Sequence, residues 1–466
     1  MRFRRLIAVH RAWWVGLVSV LLIACGGEPP SIPTAPPSPS VPPAAASSTV
    51  MVGGSPTVGI TPVGATSVTT PTPLGVGMPV MGTATTASGT PASTAQVAGV
   101  GTTPTPQAKS ADLAQVHVGD GGDGYGFNVW GLDANADFRD KVYSNVQGAG
   151  FGWMRQQVAW AAMEPKKGNF GTDTTAFLDK FVDGAAAKNL KVMLSVVKSP
   201  DWVGANGGLP ANAQDFTDYM TFLVQRYKGK VQAYEIWNEQ NYALETGGKV
   251  NVNAYLPILK AGYQTVKKYD PKAVVVFGGL TPTGVDNPAI ALNDVQYLRQ
   301  IYAINGGEVK QYYDVLGTHP GSNCNPPDNA YPANPATNPC GTDPDGGRSY
   351  TKDNSFYFQR LQEQRKVMED AGENGKKMWL TEFGWTTDNQ AKGYEYGKYV
   401  SETQQAQYLT RAFELGRSYP WMGVMFVWNL NFASITPPSD EKYPWGVLKA
   451  DGSPRPAYTA LKNVPK

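Results

Sequence analysis

The sequence predicts a (β/α)8 barrel preceded by a disordered linker, and three observations carry that expectation. Short apolar runs ending in Gly, Pro, Asn or Asp alternate with helix-period stretches, the mark of repeated βα units around a parallel sheet. Eight such runs can be counted, in a length that suits one barrel with enlarged loops. No Gly-rich phosphate loop follows the first run, which leaves the competing open, doubly wound sheet with little support.

In order, the candidate strands are Tyr125 to Trp130, Gly152 to Val158, Lys191 to Val197, Val231 to Trp237, Ala273 to Gly278, Val315 to His319, Lys377 to Thr381 and Gly423 to Trp428. Helical stretches separate them. Between the third and fourth, Phe216, Tyr219, Met220, Leu223 and Tyr227 recur at one-face spacing, which predicts a helix over 215–227.

The barrel is expected to occupy 113–466, because the first part of the chain cannot fold that way. Residues 29–110 hold one charged side chain, Lys109, and no aromatic. Such a Pro, Thr, Ser, Gly, Ala and Val mixture buries too little apolar surface to offset the entropy of ordering its backbone, so 26–112 is read as a disordered tether. Ahead of it, Arg2, Arg4, Arg5 and Arg11 precede an apolar run from Ala12 to Ala24. That run is shorter than a membrane span of about 20 residues but suits an export signal over 1–25. It closes on Leu22-Ile23-Ala24-Cys25-Gly26, which resembles the lipobox of bacterial lipoproteins. The resemblance implies lipidation of Cys25 and an extracytoplasmic barrel, at the cell surface or in the periplasm, anchored to the membrane through its N-terminus only. Ordinary cleavage near Ala24 is the plainer reading, and the Arg4-Arg5 pair leaves general and twin-arginine export both open.

Charge and cysteines bound the partners. The chain carries 40 Lys and Arg against 38 Asp and Glu. Loss of residues 1–24 removes four basic groups and turns the formal charge from +2 to −2, so nucleic acid is not an implied partner. With Cys25 assigned to lipid, Cys324 and Cys340 remain, in a loop-like stretch rich in Pro, Asn, Asp and Gly. In an oxidising compartment they are expected to form a disulfide. None of the three histidines is spaced to complete a metal site with them, so no metal and no cofactor is expected.

Barrel chemistry sits at the C-terminal ends of the strands, and the polar residues there form a pattern. Strand two ends in Trp153-Met154-Arg155-Gln156-Gln157, strand four in Trp237-Asn238-Glu239, strand six in Thr318-His319, strand seven in Thr381-Glu382-Phe383-Gly384-Trp385 and strand eight in Trp428-Asn429. Two carboxylates on strands three places apart face each other across part of the mouth. Cleavage of a glycosidic bond needs such a pair, one to protonate the leaving oxygen and one to attack the anomeric carbon or activate water.

Several stretches in this order carry a resemblance. They are Ile236-Trp237-Asn238-Glu239, Trp379 to Trp385, Trp160-Ala161-Ala162-Met163-Glu164-Pro165 and the closing Gly452-Ser453-Pro454-Arg455-Pro456-Ala457-Tyr458. Together they resemble clan A, the retaining (β/α)8 glycoside hydrolases whose acid/base follows an asparagine at the end of strand four and whose nucleophile ends strand seven. Within the clan the chain is most similar to family 39, which holds β-xylosidases and exopolysaccharide hydrolases, and next to family 5. The resemblance implies Glu239 as acid/base and Glu382 as nucleophile, with carboxyl groups about 5 Å apart. It implies that Asn238 binds the sugar hydroxyl at C2, that Arg155 lies beneath the nucleophile and keeps it ionised, that His319 bonds near the nucleophile or the sugar, and that Trp428 lies under the sugar ring. Trp202, Tyr242, Trp385, Tyr394, Tyr396 and Trp445 are candidates to line a sugar groove.

Each assignment has a plainer rival. A glutamate at a strand end often caps a helix, Arg155 could serve Glu235 instead, His319 could be a satisfied core histidine, Trp428 plain core, and the aromatics ordinary loop packing. One departure stands out: relatives carry a tyrosine after the strand-six histidine, whereas this chain reads His319-Pro320-Gly321. Either Tyr331 or Tyr350 fills the position, or the nucleophile is held differently. Period-two alternation also places Glu235, Trp237 and Glu239 on one inward side, with Glu235 deeper and paired, and Glu239 at the rim. The reading is a monomeric, surface-tethered hydrolase of a β-linked poly- or oligosaccharide. The alternative is a carbohydrate-binding barrel that does not hydrolyse.

Overall fold

A computed structural model describes residues 112–332 and 350–466. Eight parallel strands close into a barrel in sequence order, with β8 paired to β1. They are β1 (Tyr125–Asn128), β2 (Trp153–Ala159), β3 (Lys191–Val197), β4 (Ala233–Ile236), β5 (Val274–Leu280), β6 (Val315–Thr318), β7 (Met378–Phe383) and β8 (Met422–Val427). The eight main helices follow the strands one for one: α1 (Ala136–Gly148), α2 (Asp173–Ala187), α3 (Ala213–Arg226), α4 (Val252–Tyr269), α5 (Asp294–Ala303), α6 (Arg360–Asp370), α7 (Glu402–Ser418) and α8 (Pro456–Lys462). Every expected strand is present, and the helix expected over 215–227 is α3, buried through Phe216, Tyr219, Met220, Leu223 and Val224.

Inside the barrel, side chains divide by depth. The lower layer is apolar and tight: Trp153 and Trp379 meet edge to face with ring centres 5.2 Å apart, among Met193, Ala233, Val274, Val276, Val315, Val424 and Phe426. Ala114 and Val116, before β1, pack onto this layer and close its lower end. Two residues further along the strands, the inward positions turn polar. Asn128, Arg155, Ser195 and Glu235 lie there, all buried, with Asn128 opposite Arg155 and Ser195 opposite Glu235 in the strand register. The apolar layer provides stability by burial and the polar layer above it carries the site. Tyr458 of α8 donates to the Asn145 carbonyl of α1 at 2.8 Å, which ties the last helix to the first.

Strand four corrects one expectation. It ends at Ile236, because Trp237 and Glu239 take left-handed backbone conformations, with φ of 71° and 48°. Strand alternation therefore stops before Trp237. Its ring packs outward against Phe216 of α3, 6.4 Å between centres, and its indole donates to the Glu245 carbonyl at 2.9 Å. Residues 1–111 and 333–349 lie outside the described residues, so the signal, lipobox and tether expectations fall there, as does Cys340. Cys324 itself is fully buried. Among the described residues no helix is long and apolar enough to cross a membrane.

Candidate active site

Five strand ends meet around Arg155, the inward residue of β2, and its guanidinium is saturated. Nε donates to Glu235 Oε2 at 2.8 Å, one terminal nitrogen to Asn128 Oδ1 at 2.7 Å and Glu382 Oε1 at 2.5 Å, and the other to Asn238 Oδ1 at 2.7 Å and Ser195 Oγ at 3.2 Å. Five donors meet five acceptors. Both sequence readings of Arg155 hold at once: it is the partner of buried Glu235 and it lies against Glu382. Asn238 is thereby fixed by its carbonyl oxygen, with its amide nitrogen left as the group it can offer. Sequence reasoning missed Asn128, whose amide nitrogen also donates to the Thr381 carbonyl at 2.9 Å and so fixes the strand that presents Glu382.

His319, at the end of β6, grips the other carboxylate. Its Nδ1 lies 3.0 Å from Glu239 Oε1 and its Nε2 lies 3.0 Å from Thr381 Oγ1, with Glu382 Oε1 4.0 Å away. A Cβ on Gly279 would collide with the imidazole and with Thr381, so a bare backbone is needed there. The same residue accepts from the Glu239 amide at 2.8 Å and donates to Glu235 Oε1 at 3.2 Å, which positions both glutamates of strand four.

The carboxylates of Glu239 and Glu382 and the His319 ring present atoms within 4.8 Å of one another. A cation could be considered for this trio. However, both imidazole nitrogens are already hydrogen-bonded and Glu382 already holds a guanidinium, which suits an acid-base pair better than a metal cradle.

Burial pushes the Glu239 carboxyl up to about 8, helped by the nearby Glu245 charge. Its Oε2 makes no hydrogen bond in the protein. Buried Glu245 is itself paired with the partly exposed Lys198 at 3.0 Å, a pair the sequence reading did not single out. Burial also raises Glu382, opposed by His319 and Arg155, while burial lowers His319 and keeps it neutral. The expectation that Arg155 simply keeps the nucleophile ionised is therefore refined: Arg155 offsets a burial cost that the closed site imposes.

The two carboxylates open into a cleft of about 690 Å³, counting the space continuous with solvent. Trp428, Tyr394, Tyr396 and Trp445 are in its wall, as the sequence suggested, and so are Asn323 and Glu441, which it did not. Trp428 is linked to Asn429 by a cis peptide. Two proposed sugar contacts are corrected. Trp385 is fully buried, donates to the Asn325 carbonyl at 2.8 Å and packs against Tyr408, because α7 covers it. Trp202 is outside the cleft wall, with its indole on the Glu164 carbonyl at 3.0 Å and its ring edge-on to Trp160.

Neither tyrosine considered for the position after His319 occupies it. Tyr331 is 48% exposed, Tyr350 packs 5.4 Å from Tyr396, and neither is in the cleft wall. The second contact on Glu382 is instead Gln157 Nε2, at 3.5 Å. Gly321 has a local reason: any Cβ there would run into the Ser355 carbonyl oxygen. Gly321→Ala is accordingly expected to destabilise the barrel by about 1–3 kcal/mol through overpacking. Thermal unfolding of the two proteins checks this, and equal melting temperatures would contradict it.

A barrel with this polar layer and this facing carboxylate pair at its C-terminal mouth has the form of a glycosidase. The model of the family "Cellulase (glycosyl hydrolase family 5)" matches residues 117–431, and the chain belongs to that family. Among solved structures, a family 39 glycoside hydrolase from the gut symbiont Bacteroides cellulosilyticus superposes with a TM-score of 0.52 and 21% identity, over 75% of this chain and 64% of that one. The chain therefore spans under two thirds of that protein's length. A GH5_18 protein from Streptomyces cattleya, solved with GlcNAc, gives 0.53 and 13% over 73% and 79%. A monomeric beta-xylosidase from Caulobacter crescentus gives 0.50 and 16% over 75% and 67%. At these identities the likeness is one of fold.

Proposed function

We propose that the protein hydrolyses a β-linked poly- or oligosaccharide with retention of configuration, Glu382 attacking the anomeric carbon and Glu239 serving as acid and then base. The observation that carries this is the approach of the two carboxylates to within 4.8 Å, the short separation that a double displacement uses. A longer gap would leave room for water between them.

The surroundings divide the roles. Glu382 is anchored by a 2.5 Å bond from Arg155, and this charge favours the ionised form an attacking group needs. Glu239 holds a proton up to about pH 8. With His319 Nδ1 as the donor to Oε1, Oε2 is left to carry that proton to the leaving oxygen. After attack the negative charge on Glu382 is gone, and loss of the proton to the leaving group makes Glu239 a base for the incoming water. Trp428 offers an apolar face in the wall beside the pair.

Outside the described residues, the reading keeps its sequence-based parts as proposals: lipidation at Cys25, the 26–112 tether, an extracytoplasmic location, a Cys324–Cys340 disulfide and a monomer. Support for these is compositional, and the tether would let the barrel range several nanometres by flexible-chain scaling of roughly 5–6 Å per root residue.

Incubation with activated 2-deoxy-2-fluoro β-glycosides of several sugars, followed by peptide mass spectrometry, tests the mechanism. A covalent adduct on Glu382 is the expected result; an adduct elsewhere reassigns the nucleophile. If no sugar labels the protein and it is as inert as Glu382→Gln on a polysaccharide panel, the non-hydrolytic binding role takes its place. The acid is tested by pH. Activity should fall above about pH 8 as Glu239 loses its proton, and Glu239→Gln should remove that limb and slow poor leaving groups by roughly 10²–10⁴-fold. An unchanged alkaline limb in the variant would assign the proton elsewhere.

A further inference from the structure

The cleft wall holds four uncharged polar groups that the proposed mechanism does not use and that have no hydrogen-bond partner: Asn323 Nδ2, Ser355 Oγ, the Tyr394 hydroxyl and Trp445 Nε1. Asn323 and Tyr394 are only 7% and 5% exposed. A buried polar group left unpaired is costly, so four in one wall point to a ligand that pairs them. Tyr394 and Trp445 also meet edge to face, ring centres 6.4 Å apart, which gives the wall a fixed shape.

Glu441 stands in the same wall, on the loop after β8, and is 6% exposed. Its only cation among the described residues, Lys442 Nζ at 3.2 Å, is shared with Asp440 at 3.3 Å, so two carboxylates hold one ammonium. The cleft wall contains no lysine or arginine among the described residues, and Arg155 beneath it has every N–H engaged. Two donors, a hydroxyl that can act either way, and a carboxylate acceptor complement the hydroxyls of a pyranose, each of which both gives and accepts. An anionic substituent would instead face Glu441, with no free cation in the wall among the described residues to meet it.

We propose that Asn323, Tyr394, Trp445 and Glu441 form a sugar subsite beside the carboxylate pair that reads the hydroxyls of a neutral sugar and rejects one bearing a carboxylate. The proposal rests on the glycosidase reading of this cleft and adds the class of sugar it admits. Burial places the Glu441 carboxyl at about 7, which supports a group able to switch between accepting and donating near neutral pH.

Titration calorimetry of the full chain with 4-nitrophenyl β-glucoside, β-xyloside, β-mannoside and β-glucuronide tests it, with turnover measured in parallel. At least one neutral glycoside should bind, with the glucuronide about 100-fold weaker or undetectable. Glu441→Gln and, separately, Trp445→Phe should each weaken the neutral ligand by about tenfold, with folding monitored by thermal melting. Trp445→Phe keeps the test open if loss of Glu441 unfolds the loop. Equal binding of the glucuronide, neutral binding unchanged within about twofold in both variants, or no binding of any glycoside would each overturn the subsite. Binding through these residues without turnover would uphold the subsite and sink the glycosidase reading instead.

Discussion

Glu382→Gly is expected to lose at least about 10⁴-fold in kcat on activated β-glycosides, and azide should restore turnover with formation of the α-glycosyl azide. The geometry requires both halves of that result. Removing the carboxylate leaves Arg155 with one acceptor fewer and empties the place from which the anomeric carbon is attacked. A small anion can enter beside the guanidinium and attack from the same face, and with no covalent intermediate its product has inverted configuration. Glu239 still supplies the proton, since its own holdfast is His319 and not Glu382. The matching variant Glu239→Gly should give the β-glycosyl azide, because there the enzyme-linked intermediate forms first and azide opens it. Chromatographic identification of the two azides is decisive. The same anomer from both variants would contradict a double displacement with these roles.

The second large effect is on stability. Arg155→Met should destabilise the barrel by about 3–5 kcal/mol, because it leaves Glu235 as a buried carboxylate without its cation and takes one donor from each of four further acceptors. Glu235 is fully buried, so water cannot take the place of the guanidinium. The double variant Arg155→Met with Glu235→Leu should recover much of the melting temperature, since it removes the buried charge itself, but it should not recover activity. A single variant that melts with the wild type would show that the polar layer is wetter than its burial indicates. Recovery of activity in the double variant would separate Arg155 from Glu382.

Much of this could be read from the residues. The strands announced themselves because a strand buried on both faces must be apolar along its length, and seven-residue runs such as Lys191–Val197 have no other plausible use. The place of Glu239 and Glu382 at one mouth was legible because the fold gathers strand ends there. Trp385 and Trp202 were misplaced for the opposite reason: an indole beside a strand end satisfies a groove or a helix interface equally well until the neighbouring helix is in position. Asn323, Glu441 and Lys442 gave no local signal, being ordinary polar loop residues whose meaning comes from what they face.

By itself the sequence determined the repeat of eight βα units, the two carboxylates and the basic residue between them, because period and residue chemistry are local properties of a chain. Only the tertiary structure decided how the two glutamates of strand four are turned apart. The left-handed turn at Trp237 rotates that ring out of the barrel and lifts Glu239 onto His319 and the cleft, while Glu235 stays in the strand against Arg155. The physical reason is that protonation and charge depend on partners distant along the chain. Residues 155, 235, 239, 319 and 382 become one electrostatic unit only after the barrel has closed.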